Sequence, residues 1–174
     1  GELQEFLNDI ASTSEKLSVS FTEEENAQLS FKLLKDNNET GITFRGIPNG
    51  HEFTSLLLAV LNTDGQGKNF PDEAIQRRIK SLKGEIALKT YVSLTCTNCP
   101  DVVQALNLMS LINSNIKHEM VDGGIYQQEV SDLNIQGVPA VYCNNESLHI
   151  GRGDLGILLQ ELEDMVGSEA LENE

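Results

Sequence analysis

The sequence predicts an α/β chain in which two tandem α/β units share one continuous mixed sheet, the first unit truncated at its N-terminus. Three observations predict it. From Gly84 onward the apolar spacing alternates between strand and helix periods in the order β-α-β-α-β-β-α. A dithiol spacing, Cys96-Thr97-Asn98-Cys99, sits at the first strand-to-helix junction of that run. A glycine-bounded loop followed by a leucine-rich helix occurs twice, at Gly46-Ile47-Pro48-Asn49-Gly50 and at Gly151-Arg152-Gly153.

The second unit, 84–167, opens on a strand. Ile86, Leu88, Thr90, Val92 and Leu94 alternate with Ala87, Lys89, Tyr91 and Ser93. Val102, Val103, Leu106, Leu108, Met109, Leu111 and Ile112 then make a helix that is apolar on more than one face, hence buried on both sides. Pro100 is tolerated because the first helical turn has no intrahelical partner for its N–H. A strand is predicted over 116–121, a turn at Asp122-Gly123-Gly124 and a short amphipathic helix over 126–133. Gly137-Val138-Pro139 introduces a strand over 140–143. The tight turn Asn144-Asn145-Glu146 makes 147–150 its hairpin partner. The last helix carries Leu155, Leu158, Leu159, Leu162 and Val166 on one stripe, with Gly167 past its end.

The first unit, 1–69, repeats part of this. Leu3, Phe6, Leu7 and Ile10 form a helix stripe. Strands are predicted over 16–21, 29–34 and 42–44, the last two as a hairpin. A helix with Phe53, Leu56, Leu57, Val60 and Leu61 follows. The strand and dithiol turn that would precede the first helix are absent. A flexible turn, 65–69, leads to a connecting helix over 70–83 with Ile75, Ile79 and Leu82 on one face. The run Glu23-Glu24-Glu25 reads as a solvated loop, and 168–174 as an acidic tail or linker.

Composition narrows the function. Of 174 residues, 39% are hydrophobic and 22% charged, the balance of a globular protein. Twelve Lys and Arg against 27 Asp and Glu leave a formal charge of −15, which argues against nucleic acid and anionic membranes as partners. No apolar run approaches the roughly 20 residues of a membrane helix. The first residues lack the basic start of a signal peptide.

The three cysteines are Cys96, Cys99 and Cys143, too few for a secreted disulfide scaffold. The C-x-x-C pair reads as a redox dithiol in a reducing compartment or as half of a structural metal site. The second close pair that zinc commonly takes is missing, so no metal ligand is expected. His51, His118 and His149 are scattered singly and read as surface residues. Cys143 reads as a small buried hydrophobe.

The element order, the C-x-x-C at the first junction and the Val-Pro about forty residues beyond Cys99 are those of the thioredoxin fold. Tandem units of this kind with the dithiol only in the second resemble the N-terminal domain of the F component of alkyl hydroperoxide reductase. The similar segments are Gly50-His51-Glu52-Phe53-Thr54-Ser55-Leu56, the run from Tyr91 through Cys96 and Cys99 to Asn107, and Gly137-Val138-Pro139-Ala140-Val141. The resemblance extends from about Leu3 to Gly167. It implies a cytoplasmic thiol–disulfide oxidoreductase module. Such a module takes electrons from a flavoprotein portion of the same polypeptide, which uses NADH and FAD. It passes them to the disulfide of a partner peroxiredoxin, the C component of the same reductase, in an intact protein that is a homodimer. No cofactor is expected on this stretch. No G-x-G-x-x-G follows any predicted strand, and the start of the first repeat is missing. Both point to an excised piece of a longer chain.

A thiolate attacks a disulfide, and a second thiol resolves the mixed disulfide. Cys96 lies just before the helix, where free N–H groups favour an anion, so it is the expected nucleophile. Cys99, one turn in, resolves. Pro139, if cis, brings the Val138 backbone beside the dithiol to pair with an extended substrate chain; a trans proline starting a strand is the alternative. The strand before the dithiol carries Thr90 and no acid. The resemblance carries the proton-transfer role onto Glu52, which must then face the groove between the repeats. The alternative is that Glu52 merely caps its helix. Two other functions stay open: a general glutaredoxin-like disulfide reductase, and a non-catalytic binding module with a structural disulfide or zinc.

Overall fold

The structure, a computed structural model, describes residues 1–22, 29–65, 67 and 69–169. Along the chain run α1 (Glu2–Ala11), β1 (Ser30–Lys35), β2 (Asn38–Arg45), a 3-10 turn (Gly50–Glu52), α2 (Phe53–Asn62) and α3 (Glu73–Lys80). They are followed by β3 (Ile86–Val92), α4 (Cys99–Ile112), β4 (Ile116–Asp122), α5 (Gln127–Asp132), β5 (Ala140–Cys143), β6 (Glu146–Ile150) and α6 (Leu155–Val166).

All six strands form one mixed sheet in the order β1-β2-β4-β3-β5-β6. β3 lies between β4, parallel, and β5, antiparallel, so the strand that ends at the dithiol is central. β2 joins the first unit to the second by pairing parallel with β4, from Ile42 opposite His118 to Arg45 opposite Val121. The sheet is therefore continuous across the two units, as expected.

α4 is the spine of the molecule. Val102, Leu106 and Met109 pack into one core with Leu88, Ile116, Leu158 and Leu162. Cys99 and Val103 pack into a second core with Ile42, Phe44, Leu56 and Ala59 of the first unit. Both faces of α4 are thus buried, which is why its apolar residues follow no single stripe. α3, expected only to connect, starts at its N-cap Asp72, whose side chain accepts from the Ile75 N–H at 2.9 Å. It places Ile79, with Leu82 just beyond, in the second unit's core.

Four expectations need correction. No strand forms over 16–21. Leu17 and Val19 are half-buried and Ser18 and Ser20 exposed, but the segment leaves a turn at Ser14–Leu17 and no neighbouring strand pairs with it. Alternation supplies a face, and a strand also needs a ladder partner. The first unit therefore contributes a bare hairpin. His118 is fully buried, not a surface residue, because the third position of β4 points into the sheet's covered face. His149 is also largely covered, its side chain 12% exposed and paired with Glu161; His51 is exposed. Ser168 is buried and bridges Leu82, and the Glu169 N–H donates to the Ser81 carbonyl at 2.8 Å, so these two residues are tied to the end of α3. The run Glu23-Glu24-Glu25, Gln66 and Lys68 of the predicted turn, and residues 170–174 lie outside the described residues. No helix among the described residues is long and apolar enough to cross a membrane.

Candidate active site

β3 ends at Val92 and the chain turns through Ser93–Asn98 into α4. Cys96 sits in this turn, its N–H bonded to the Ser93 carbonyl at 3.0 Å, and is partly exposed. Cys99 is the first residue of α4 rather than one turn in, and is completely buried. Both are free thiols, and a hydrogen bond joins them. Burial is the main cause that pushes the Cys99 thiol strongly up; the bond to Cys96 and the charge of Glu52 act in the same direction. A thiol held neutral in this way needs a base before it can attack.

The Val138–Pro139 peptide is cis. It brings the Val138 carbonyl to 3.8 Å from Cys96 Sγ. The dithiol turn and the loop before β5 therefore meet at one spot, with the half-buried Val138 beside the partly exposed sulfur. Across this spot the Arg152 guanidinium donates to the Asn98 side chain at 3.2 Å.

Glu52 comes from the other unit. Gly50 has φ of 57°, and a Cβ there would stand 2.7 Å from the Leu94 carbonyl oxygen. Only glycine tolerates both the left-handed conformation and that approach. The His51 N–H donates to the same Leu94 carbonyl at 3.1 Å. The segment is thereby pinned to the turn that carries Cys96. Glu52 follows, 0% exposed, at the N-cap of α2, yet its side chain makes no capping bond. Oε1 accepts from the Ser55 hydroxyl at 2.7 Å. Oε2 is buried and finds no hydrogen-bond partner among the described residues. Desolvation raises the carboxyl from 4.5 to about 7, with the Ser55 bond opposing and the charge of Asp101 reinforcing. The Glu52 side chain therefore does not cap its helix; its carboxyl is buried, and its charge contributes to raising the Cys99 thiol.

At the place on β3 where an acid was sought, Thr90 is buried and paired with His118. His118 Nδ1 donates to Asn107 Oδ1 at 2.7 Å, leaving Nε2 to accept from Thr90 Oγ1 at 2.7 Å. Burial lowers the imidazole to about 3, so this trio is neutral and braces β3, β4 and α4. Cys143 is buried in the second unit's core, and burial raises its thiol. Among the described residues no three His, Cys, Asp or Glu side chains gather to hold a metal ion.

The structure thus brings Cys96, Cys99, Glu52, Val138 and Pro139 together. It adds Ser55 and Gln104, whose side-chain amide donates to the Ser55 hydroxyl at 3.2 Å. The three-residue spacing from Glu52 to Ser55 at a helix start is a signal for the first. Nothing local announces Gln104, which arrives from α4.

No family model matches the chain. The solved N-terminal domain of the alkyl hydroperoxide reductase AhpF of Enterococcus faecalis superposes with a TM-score of 0.86 and 32% identity, over 92% of this chain and 83% of that one. The chain belongs to the family of the N-terminal domain of the F component of alkyl hydroperoxide reductase. The F component of alkyl hydroperoxide reductase of Staphylococcus aureus (strain Mu50) is 43% identical over 172 residues, covering 99% of this chain and 33% of that protein. A protein named NADH dehydrogenase of Bacillus subtilis (strain 168) is 46% identical over 156 residues, covering 90% of this chain and 30% of that protein. The chain thus spans about a third of the length of the curated relatives it matches. As a member of this family it is a thiol–disulfide oxidoreductase module of thioredoxin fold.

Proposed function

We propose that this module carries electrons, in the cytoplasm, from an NADH- and FAD-using flavoprotein portion of the same polypeptide to the disulfide of a peroxiredoxin. The observation that supports the mechanism is the buried Glu52 carboxylate, which makes no capping bond and keeps one oxygen without a hydrogen-bond partner among the described residues, on a segment pinned to the turn that carries Cys96.

The Cys96 thiolate attacks one sulfur of the partner disulfide, whose S–S bond breaks as a mixed disulfide forms and the first partner sulfur leaves. The Val138 backbone, held beside Cys96, pairs with the extended partner chain. Cys99 gives its proton to Glu52, and its sulfur attacks Cys96 Sγ. The mixed disulfide breaks, and the second partner sulfur leaves and takes up a proton. Two electrons have passed to the partner, and the module is left as a Cys96–Cys99 disulfide for the flavoprotein to reduce. FAD and NADH belong, on this reading, to the length of the relatives that this chain does not span. The residues of this chain supply thiol, disulfide and proton chemistry.

The dithiol variants test the roles. Cys96→Ser is expected to abolish transfer to oxidised peroxiredoxin. Cys99→Ser is expected to accumulate a mixed disulfide through Cys96, visible as a covalent adduct on a non-reducing gel. Equal trapping by the two variants would sink the assignment.

A further inference from the structure

A hydrogen-bonded chain of two side chains ends on Glu52. The Gln104 side-chain amide donates to Ser55 Oγ at 3.2 Å, and the Ser55 hydroxyl donates to Glu52 Oε1 at 2.7 Å. Ser55 is 0% exposed, so no bulk water competes for its hydroxyl. Gln104 and Ser55 both line a cleft of about 310 Å³ between α2 and α4, along with Asn62 and Asn107. The two oxygens of Glu52 are therefore unlike. One is anchored through two side chains that line this cleft, and the other is buried without a hydrogen-bond partner among the described residues.

The chain has a direction. A primary amide hydrogen can only donate, so Ser55 Oγ accepts from Gln104 and turns its own hydrogen toward Glu52. A donor aimed at a carboxylate favours its ionised form, and each bond in such a series polarises the next. Resting on Glu52 as the group that takes the Cys99 proton, we infer that Ser55 and Gln104 are positioning residues. They anchor Oε1, leave Oε2 as the oxygen that receives the proton, and set the pH at which Glu52 becomes a base. The titratable groups that face Glu52 from the elements packed against it are Cys99 and Asp101 of α4; α2 carries none, and His51 precedes it on its own turn. Burial first and the charge of Asp101 second oppose the ionised carboxylate, and the Ser55 hydroxyl is what counters them.

The test uses the 174-residue chain and an aromatic disulfide, dithiobis(nitrobenzoate), as the probe. Two nitrothiolates leave in sequence, the first on attack by Cys96 and the second on resolution by Cys99. The rate of the second release is followed against pH, alongside the ¹³C shift of the Glu52 carboxyl carbon. In the wild type both are expected to turn near 7. Ser55→Ala, which suits a helix and fills the same buried site, is expected to move both midpoints up by about one pH unit, the worth of one hydrogen bond to a charged group. Gln104→Leu is expected to move them in the same direction by less. A purely structural Ser55 would alter stability and leave the midpoints where they are, and unmoved midpoints in Ser55→Ala overturn the inference. If Glu52→Gln keeps the wild-type pH limb of the second release, the role of Glu52 itself falls, and the inference with it.

Discussion

The two halves of the molecule end in the same arrangement and use it differently. Each has a hairpin turning on two residues of positive φ, Asp36–Asn37 in the first and Asn144–Asn145 in the second, as a two-residue turn of this hand requires. Each hairpin is followed by a positive-φ glycine, Gly50 or Gly151, and then by a helix whose N-cap is an acid, Glu52 or Asp154. There the likeness ends. Asp154 is exposed and accepts from the Ile157 N–H at 2.9 Å, so it does what an N-cap does. Glu52 is buried, caps nothing and keeps one oxygen without a partner among the described residues. A carboxylate that stabilises its helix in one half has been exchanged, in the other, for one that is held at the expense of stability. Such a contrast accords with the proton-transfer role proposed for Glu52.

Exchanging the acids one at a time should separate the two roles. The largest effect is expected from Glu52→Gln, which keeps the shape and removes the base. Resolution by Cys99 should slow by about 10²-fold in rapid-mixing kinetics, the low end for losing a general acid–base group. A rate within about threefold of wild type would make Glu52 as structural as Asp154.

The stability of the two halves should also respond differently to pH. Because the folded chain holds the Glu52 proton up to about 7 and the unfolded chain releases it near 4.5, the fold loses stability as the pH rises through that window. His118 works in the opposite sense. Its folded value of about 3 lies below the ordinary 6.5, so stability is lost as the pH falls from 6.5 toward 3. Comparing urea denaturation of wild type and Glu52→Gln cancels the histidine. Between about pH 5 and about pH 8 the variant should gain on the wild type by about 2–3 kcal/mol. The same difference at both pH values would mean that Glu52 is solvated like Asp154.

The glycines sharpen the contrast further. A Cβ on Gly151 meets nothing within 4 Å, whereas one on Gly50 meets the Leu94 carbonyl at 2.7 Å. Gly151→Ala should cost only the backbone strain, about 1 kcal/mol. Gly50→Ala should cost about 2–3 kcal/mol and, unlike Gly151→Ala, slow resolution, because it pushes Glu52 away from the dithiol turn. Equal losses of stability and unchanged rates would break the argument that Gly50 places the acid. The smallest effect is expected from Asp154→Ala, about 1 kcal/mol in thermal or urea unfolding with the exchange rate unaltered.

Much of this was legible in the residues because the local rules and the tertiary structure agree. The second unit's strands, its paired asparagine turn and the last helix were all marked by periodicity and turn chemistry. The dithiol announced itself by spacing. What was not legible depends on residues far apart in the chain. The segment 16–21 has a strand's alternation and no strand to pair with, and pairing is a property of the whole sheet. His118 looked like a lone polar residue because its partners, Thr90 and Asn107, come from β3 and α4. Gln104 escaped for the same reason. The position of Glu52 was reached by likeness to a family, since nothing in its neighbours says that the chain will bury it. That depends on Gly50 meeting Leu94 across the boundary between the units.

The parallel ladder between β2 and β4 has a mechanical meaning. An electron carrier, the role proposed above for this module, must travel between the site that loads it and the site that unloads it. If its acid stood on one moving part and its sulfurs on another, their separation would have to be restored at each stop. Here β2 leads within a few residues to Glu52, β3 leads to Cys96, and both strands are zipped to β4. Rotation or translation of this slab carries the Glu52 carboxyl and the two sulfurs together. On the function proposed above, the cargo arrives with its own base, whichever partner it has been turned to face.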